Sequence, residues 1–134
     1  MNYPLPLLLM LVACAFISCT AEETPHPMVG VWQIEQIFQE GEALPLDNCD
    51  LLTTSDFRSN GIFFEKRHSK RILGCSLNNK SGTWTETSTN VLRITYDNSS
   101  ADFQNVKFIV SDTKMTLTDG DGSESFSIVF KKVE

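Results

Sequence analysis

From Gly30 onward the chain alternates short runs of mixed apolar and polar residues with turn residues, and every convincing run has a period of two. Successive side chains leave a strand on opposite sides, so this period marks strands with one buried face. Residues 31–38 form the first run, and residues 41–48, with Pro45 among them, read as a loop. Residues 54–57 lead to Asn60-Gly61, the strongest short hairpin signal in the chain, and residues 62–66 answer on its far side. Ser81-Gly82 precedes a run over 83–87. Asn90 turns into residues 91–97, where Leu92, Ile94 and Tyr96 share one face. Further runs cover 103–111, 114–118 and 124–132, the last two joined by Asp119-Gly120-Asp121-Gly122.

No segment sustains the 3.6-residue period of a helix, and turns recur at short intervals without crossover helices. The pattern predicts an all-β fold, an antiparallel up-and-down meander of about eight strands. Closure into a small barrel is favoured over a tight sandwich, because closure removes the exposed edges. The residues expected to face inward are Trp32, Ile34, Phe57, Trp84, Leu92, Ile94, Tyr96, Val106, Phe108, Val110, Met115, Leu117, Phe126, Ile128 and Phe130. An eight-stranded barrel is just wide enough to be filled by side chains or to hold one small ligand.

The first part of the chain follows a different rule. Residues 5–17 are apolar apart from Pro6, too short a run to span a bilayer as a helix but suited to the core of a signal peptide. Ser18-Cys19 follows at once, and Thr20-Ala21-Glu22-Glu23 after it. Bacterial lipoprotein signals resemble this arrangement, which implies acylation of Cys19. Cys14 is the competing position, though it would leave a very short leader. The n-region carries no Lys or Arg, and a buried N-terminal strand or helix is the alternative reading. The expected organisation is a signal peptide over 1–18, an acylated cysteine and extended tether over 19–29, and a barrel domain over 30–134. Pro25 and Pro27 favour a semi-rigid tether, in which His26 is expected to be a solvated linker residue.

All seventeen acids and eleven Lys/Arg lie beyond Cys19, so the net charge of −6 belongs to the mature part. That balance argues against nucleic acid as a partner, since neutralising phosphates needs clustered cations. With Cys14 in the leader and Cys19 acylated, Cys49 and Cys75 remain. Outside the cytoplasm they read as one disulfide, closing a loop that contributes roughly 3–4 kcal/mol. A free buried pair or half a metal site are the alternatives, the latter weakened by the lack of nearby His partners.

Gly30-Val31-Trp32 opening the first strand resembles the Gly-x-Trp signature of lipocalins. Cys49, Phe57, Asn60-Gly61, Cys75, Gly82-Thr83-Trp84 and Leu92-Arg93-Ile94, in that order, resemble the lipocalin-like lipoproteins of the Bacteroidota. The resemblance implies a lipocalin-like barrel on the outer membrane, exposed at the cell surface. It also implies a binding module for a small apolar or amphipathic ligand, for which Trp32, Phe64, Trp84, Tyr96, Phe108 and Phe126 are the candidate contacts. The alternative is a filled barrel that acts through its loops as an interaction or inhibitor protein. The basic stretch Lys66-Arg67-His68-Ser69-Lys70-Arg71, read as a loop, would then meet a protein partner.

No catalytic residue, cofactor or metal is assigned. His68 stands without a placed carboxylate or nucleophile, so a hydrolase is the weakest of the three readings. The stretch 119–123 echoes a calcium loop, but Glu124 and Phe130 occupy positions where that loop needs Gly and Glu, and a hairpin turn explains its glycines.

Overall fold

The computed structural model describes residues 23–98 and 102–133. The expected leader and Cys19 lie outside them. Among the described residues nine strands follow in order: β1 (Gly30–Gln39), β2 (Glu42–Leu44), β3 (Thr54–Phe57), β4 (Ile62–Arg71), β5 (Gly74–Ser88), β6 (Val91–Tyr96), β7 (Asp102–Val110), β8 (Lys114–Asp119) and β9 (Phe126–Lys132). Each pairs antiparallel with its neighbour from β3 through β9, and β1 pairs with both β3 and β9. Eight strands thereby close a barrel, and β2 lies outside it as a short hairpin partner of β1. The expected barrel of about eight strands is the one that forms. The loop expected over 41–48 contains the ninth.

The buried cluster is Met28, Trp32, Ile34, Phe57, Phe63, Trp84, Leu92, Ile94, Val106, Phe108, Met115, Leu117 and Phe130. Tyr96, Val110 and Ile128 pack against it, so nearly all of the expected inward set faces in. Two differences come from local shifts of phase. In β1 the pairing with β9 slips between Ile34 and Gln36, a bulge at Glu35. One extra residue moves the later side chains to the other face, so Ile37 joins the interior where strict alternation would have pointed it out.

The second shift is at the β3–β4 turn. A two-residue Asn-Gly turn would set Phe57 opposite Phe64. Instead the Arg58 N–H bonds the Ile62 carbonyl and the Gly61 N–H bonds that of Arg58, giving a three-residue loop with Gly61 at φ +79°. Phe57 therefore faces Phe63, which is buried. Phe64 turns outward beneath the Arg58 guanidinium, 4.3 Å from its ring centre. It is not an interior residue.

One end of the barrel is sealed. Residues 26–29 turn across it, with Met28 fully buried and its carbonyl accepting from Trp32 Nε1 at 2.8 Å. His26, expected as a solvated linker, packs its ring 5.2 Å from Trp84 and 5.8 Å from Phe108. Its Nδ1 accepts from the Met28 N–H, which leaves Nε2 to donate to Glu86 at 2.9 Å. That bond, and one from the Asn90 N–H, hold the Glu86 carboxyl below its usual range. Aromatic edges and a carboxylate give the residues just before β1 a place to dock.

The walls fit closely where β5 meets β6 midway along the barrel. A Cβ on Gly82 would lie 2.0 Å from the Thr95 carbonyl oxygen of β6. Gly82→Ala must push β5 from β6, and we expect it to cost about 1–3 kcal/mol in urea unfolding. An unchanged midpoint would contradict the close approach.

Candidate functional site

The opposite end is open. A cavity of about 360 Å³ occupies this half of the barrel, entered past Ile37 and Phe126 and floored by Phe57 and Phe63. Its walls differ in chemistry. Ile34, Val106, Leu117 and Ile128 make one side apolar, while Thr53, Ser55, Arg67, Ser69 and Tyr96 carry polar groups into the other. The segment before β3 forms part of the rim. Asp47 Oδ1 accepts from the N–H groups of Cys49 and Asp50, which folds a 3-10 turn over Asp50–Leu52, and Gln33 Nε2 holds the Leu51 carbonyl.

Cys49, on that rim, is disulfide-bonded to Cys75 of β5, with 5.5 Å between their Cα atoms. The disulfide reading of these two cysteines holds. It ties the rim segment to the β4–β5 hairpin.

Glu65 is the buried charge of the wall, 5% exposed. A carboxylate removed from water survives only when its oxygens are bonded. Tyr96 donates to Oε2 at 2.7 Å and Arg67 Nε to Oε1. Burial, and then the negative charge of Glu65, push the Tyr96 phenol well above its ordinary value of 10.0. The phenol therefore stays protonated as a donor, and Arg67 is held at the cavity wall. His68 also lines the cavity; its backbone N–H donates to Thr53 Oγ1, while its Nδ1 is buried with no hydrogen-bond partner among the described residues.

Of the candidate ligand contacts, Tyr96 and Phe126 line the cavity. Trp32, Trp84 and Phe108 are buried in the sealed half, and Phe64 lies outside. Glu65 and Arg67 were missed as interior groups. Their signal was odd-numbered phase in β4, readable only once the three-residue loop fixes Phe63 as inward. The basic stretch 66–71 was expected to be a loop, yet it forms the outer half of β4, because residues 74–79 pair with it along its whole length.

A closed antiparallel meander, plugged at one end and hollow at the other, defines the class of small cup-shaped barrels. The chain belongs to the lipocalin-like domain family, whose model matches residues 28–131. Among solved structures, it is similar in fold to an uncharacterized protein from Bacteroides eggerthii, at 20% identity and a TM-score of 0.56, covering 78% of this chain and 98% of that one. No curated protein matches the chain.

The Tyr96–Glu65 bond predicts an alkaline signature. A phenol whose folded value lies above its unfolded one stabilises the fold fully below pH 10 and loses that contribution as pH rises further. Stability of the wild type should therefore fall above pH 10, and more steeply than that of Tyr96→Phe. Parallel slopes in denaturant melts from pH 9 to 11 would refute the coupling.

Proposed function

We propose that this protein is a cell-envelope lipoprotein whose barrel takes one small amphipathic ligand through its open end. The single observation that carries the binding reading is the one-ended cavity with an apolar wall facing a polar one. Its volume of about 360 Å³ falls in the range of small-molecule sites. An apolar ligand body would rest on Ile34, Leu117 and Ile128, with a polar group toward Arg67, Tyr96 and the unsatisfied His68. The lipocalin-like fold is generally a binding fold rather than an enzymatic one. Filling of the interior by side chains accounts for the sealed half only, so the filled-barrel alternative has less support.

Native mass spectrometry and thermal shift against fatty acids, bile acids and tetrapyrroles test this. The expected result is a one-to-one complex and a rise in Tm, with Phe126→Asp at the entrance weakening binding at least tenfold. Ligand at a hundred times its Kd should add about 2.7 kcal/mol. No complex at high micromolar ligand would end the reading.

The lipoprotein assignment is supported by the apolar run 5–17, the Cys19 that follows and the acidic pair Glu22-Glu23. Several acyl chains on Cys19 would anchor it firmly to the outer membrane, at ~0.8 kcal/mol per buried methylene. Labelled palmitate should enter the expressed wild type and Cys14→Ser but not Cys19→Ser. Label persisting in Cys19→Ser would move the anchor elsewhere.

A further inference from the structure

The β4–β5 hairpin outruns the barrel. β3 accompanies β4 only as far as Lys66, and β6 joins β5 only from Gly82. Between those points a two-stranded ribbon runs out to Ile72 and Leu73, at the cavity end of the molecule. These two aliphatic side chains are 101% and 95% exposed, and Leu77, opposite His68 further down the ribbon, is 53% exposed. A soluble domain gains nothing by holding such residues in water at an apex, so their position asks for something that covers them.

The charge around them identifies what. From Lys66 to Thr85 the chain carries five Lys/Arg and no carboxylate, in a protein of net charge −6. Arg67 is committed to Glu65, and Lys80 sits over the Tyr96 ring. Lys66, Lys70 and Arg71 are exposed, and the last two flank the apex directly. Asp47, which shares a surface recess with Lys70 and Arg71, is turned onto the N–H groups of Cys49 and Asp50. The Cys49–Cys75 bond meanwhile fixes the ribbon two residues from Leu73. A fixed apex spends little conformational entropy on docking.

We propose that the Ile72–Leu73 apex docks into the surface of an anionic lipid bilayer, its aliphatic side chains entering the acyl boundary while Lys70 and Arg71 lie against lipid phosphates. Apolar insertion flanked by cations is the physical signature of interfacial binding. Docked this way, the cavity entrance faces the bilayer. That consequence, unlike the docking, rests on the ligand-binding reading, and the two fail in separate assays.

The test places a reporter at the apex of the full chain as Leu73→Trp. The native Trp32 and Trp84 are buried and contribute a constant background. On phosphatidylglycerol-containing vesicles its emission should shift to the blue and be quenched by bromolipid. Phosphatidylcholine vesicles alone should leave it unshifted. Adding Lys70→Gln and Arg71→Gln should weaken the response about 30-fold, the loss expected for two cations at an anionic surface. Because the reporter sits at the apex, it reads this contact whether or not the N-terminal segment also engages lipid. An apex tryptophan that stays water-exposed on anionic vesicles would overturn the proposal and leave the ribbon to a protein partner. An equal shift on neutral vesicles would also overturn it, since the cations would then contribute nothing.

Discussion

The ladder between β1 and β9 is the contact on which the rest of the molecule depends. It joins the first strand to the last, from Trp32 opposite Lys132 to Gln39 opposite Phe126. Without it the chain would be an open meander with two bare edges and no interior. The ladder also carries the bulge at Glu35, and the bulge decides how the interior divides. Before it, Trp32 and Ile34 serve the packed half. After it, Ile37 reaches the entrance. Lys114 of β8 pairs with Glu35 at 2.8 Å, so the residue displaced from the ladder is held on the outside by a neighbouring strand.

Division of the interior follows from where the bulky side chains fall. Trp32, Trp84, Phe108, Met115 and Phe130 crowd one end, and residues 26–29 complete the seal there. At the other end the inward positions of β3 and β4 are Ser55, Glu65 and Arg67, which fill less volume and need polar partners. Their mutual bonds with Tyr96 keep the wall rigid and hold a charged group where a ligand would enter. A cup with a dry base and a polar wall is thus a consequence of residue order along each strand, rather than of any added element.

Much of this was legible in the alternation alone. Strands β6, β8 and β9 keep strict period two, so Leu92, Ile94, Met115, Leu117, Ile128 and Phe130 were placed correctly from the sequence. What escaped were positions downstream of a phase change. Ile37 lies beyond a bulge that no residue type announces, and Phe63 lies beyond a turn whose Asn-Gly pair suits two loop lengths. A shift of one residue exchanges the two faces of a strand, which is why Phe64 was named as a ligand contact and Glu65 was not. The basic stretch 66–71 was illegible for another reason. Two-stranded ribbons beyond a barrel need no buried face, so they lack the apolar alternation by which strands are recognised.

The placement of the two proposed lipid contacts constrains how the protein could work. The chain enters the barrel at the sealed end, through His26 and Met28, whereas the Ile72–Leu73 apex projects from the cavity end. A barrel held upright on its tether would present its entrance away from the anchoring membrane. For apex and proposed acyl chains to share one leaflet, the barrel must turn over until its open end meets the membrane. Eleven residue steps from Cys19 to Gly30 span at most about 36–40 Å, comparable to the length of β1 itself, so the turn is within reach once residues 26–29 release. The interface between His26 and the Trp84–Phe108 edges then acts as the joint: intact, it fixes the direction in which the tether leaves; released, it lengthens the reach by the residues it had bound. Under the two proposals together, orientation of the cavity toward or away from lipid would turn on a contact of a few residues at the end where no ligand enters.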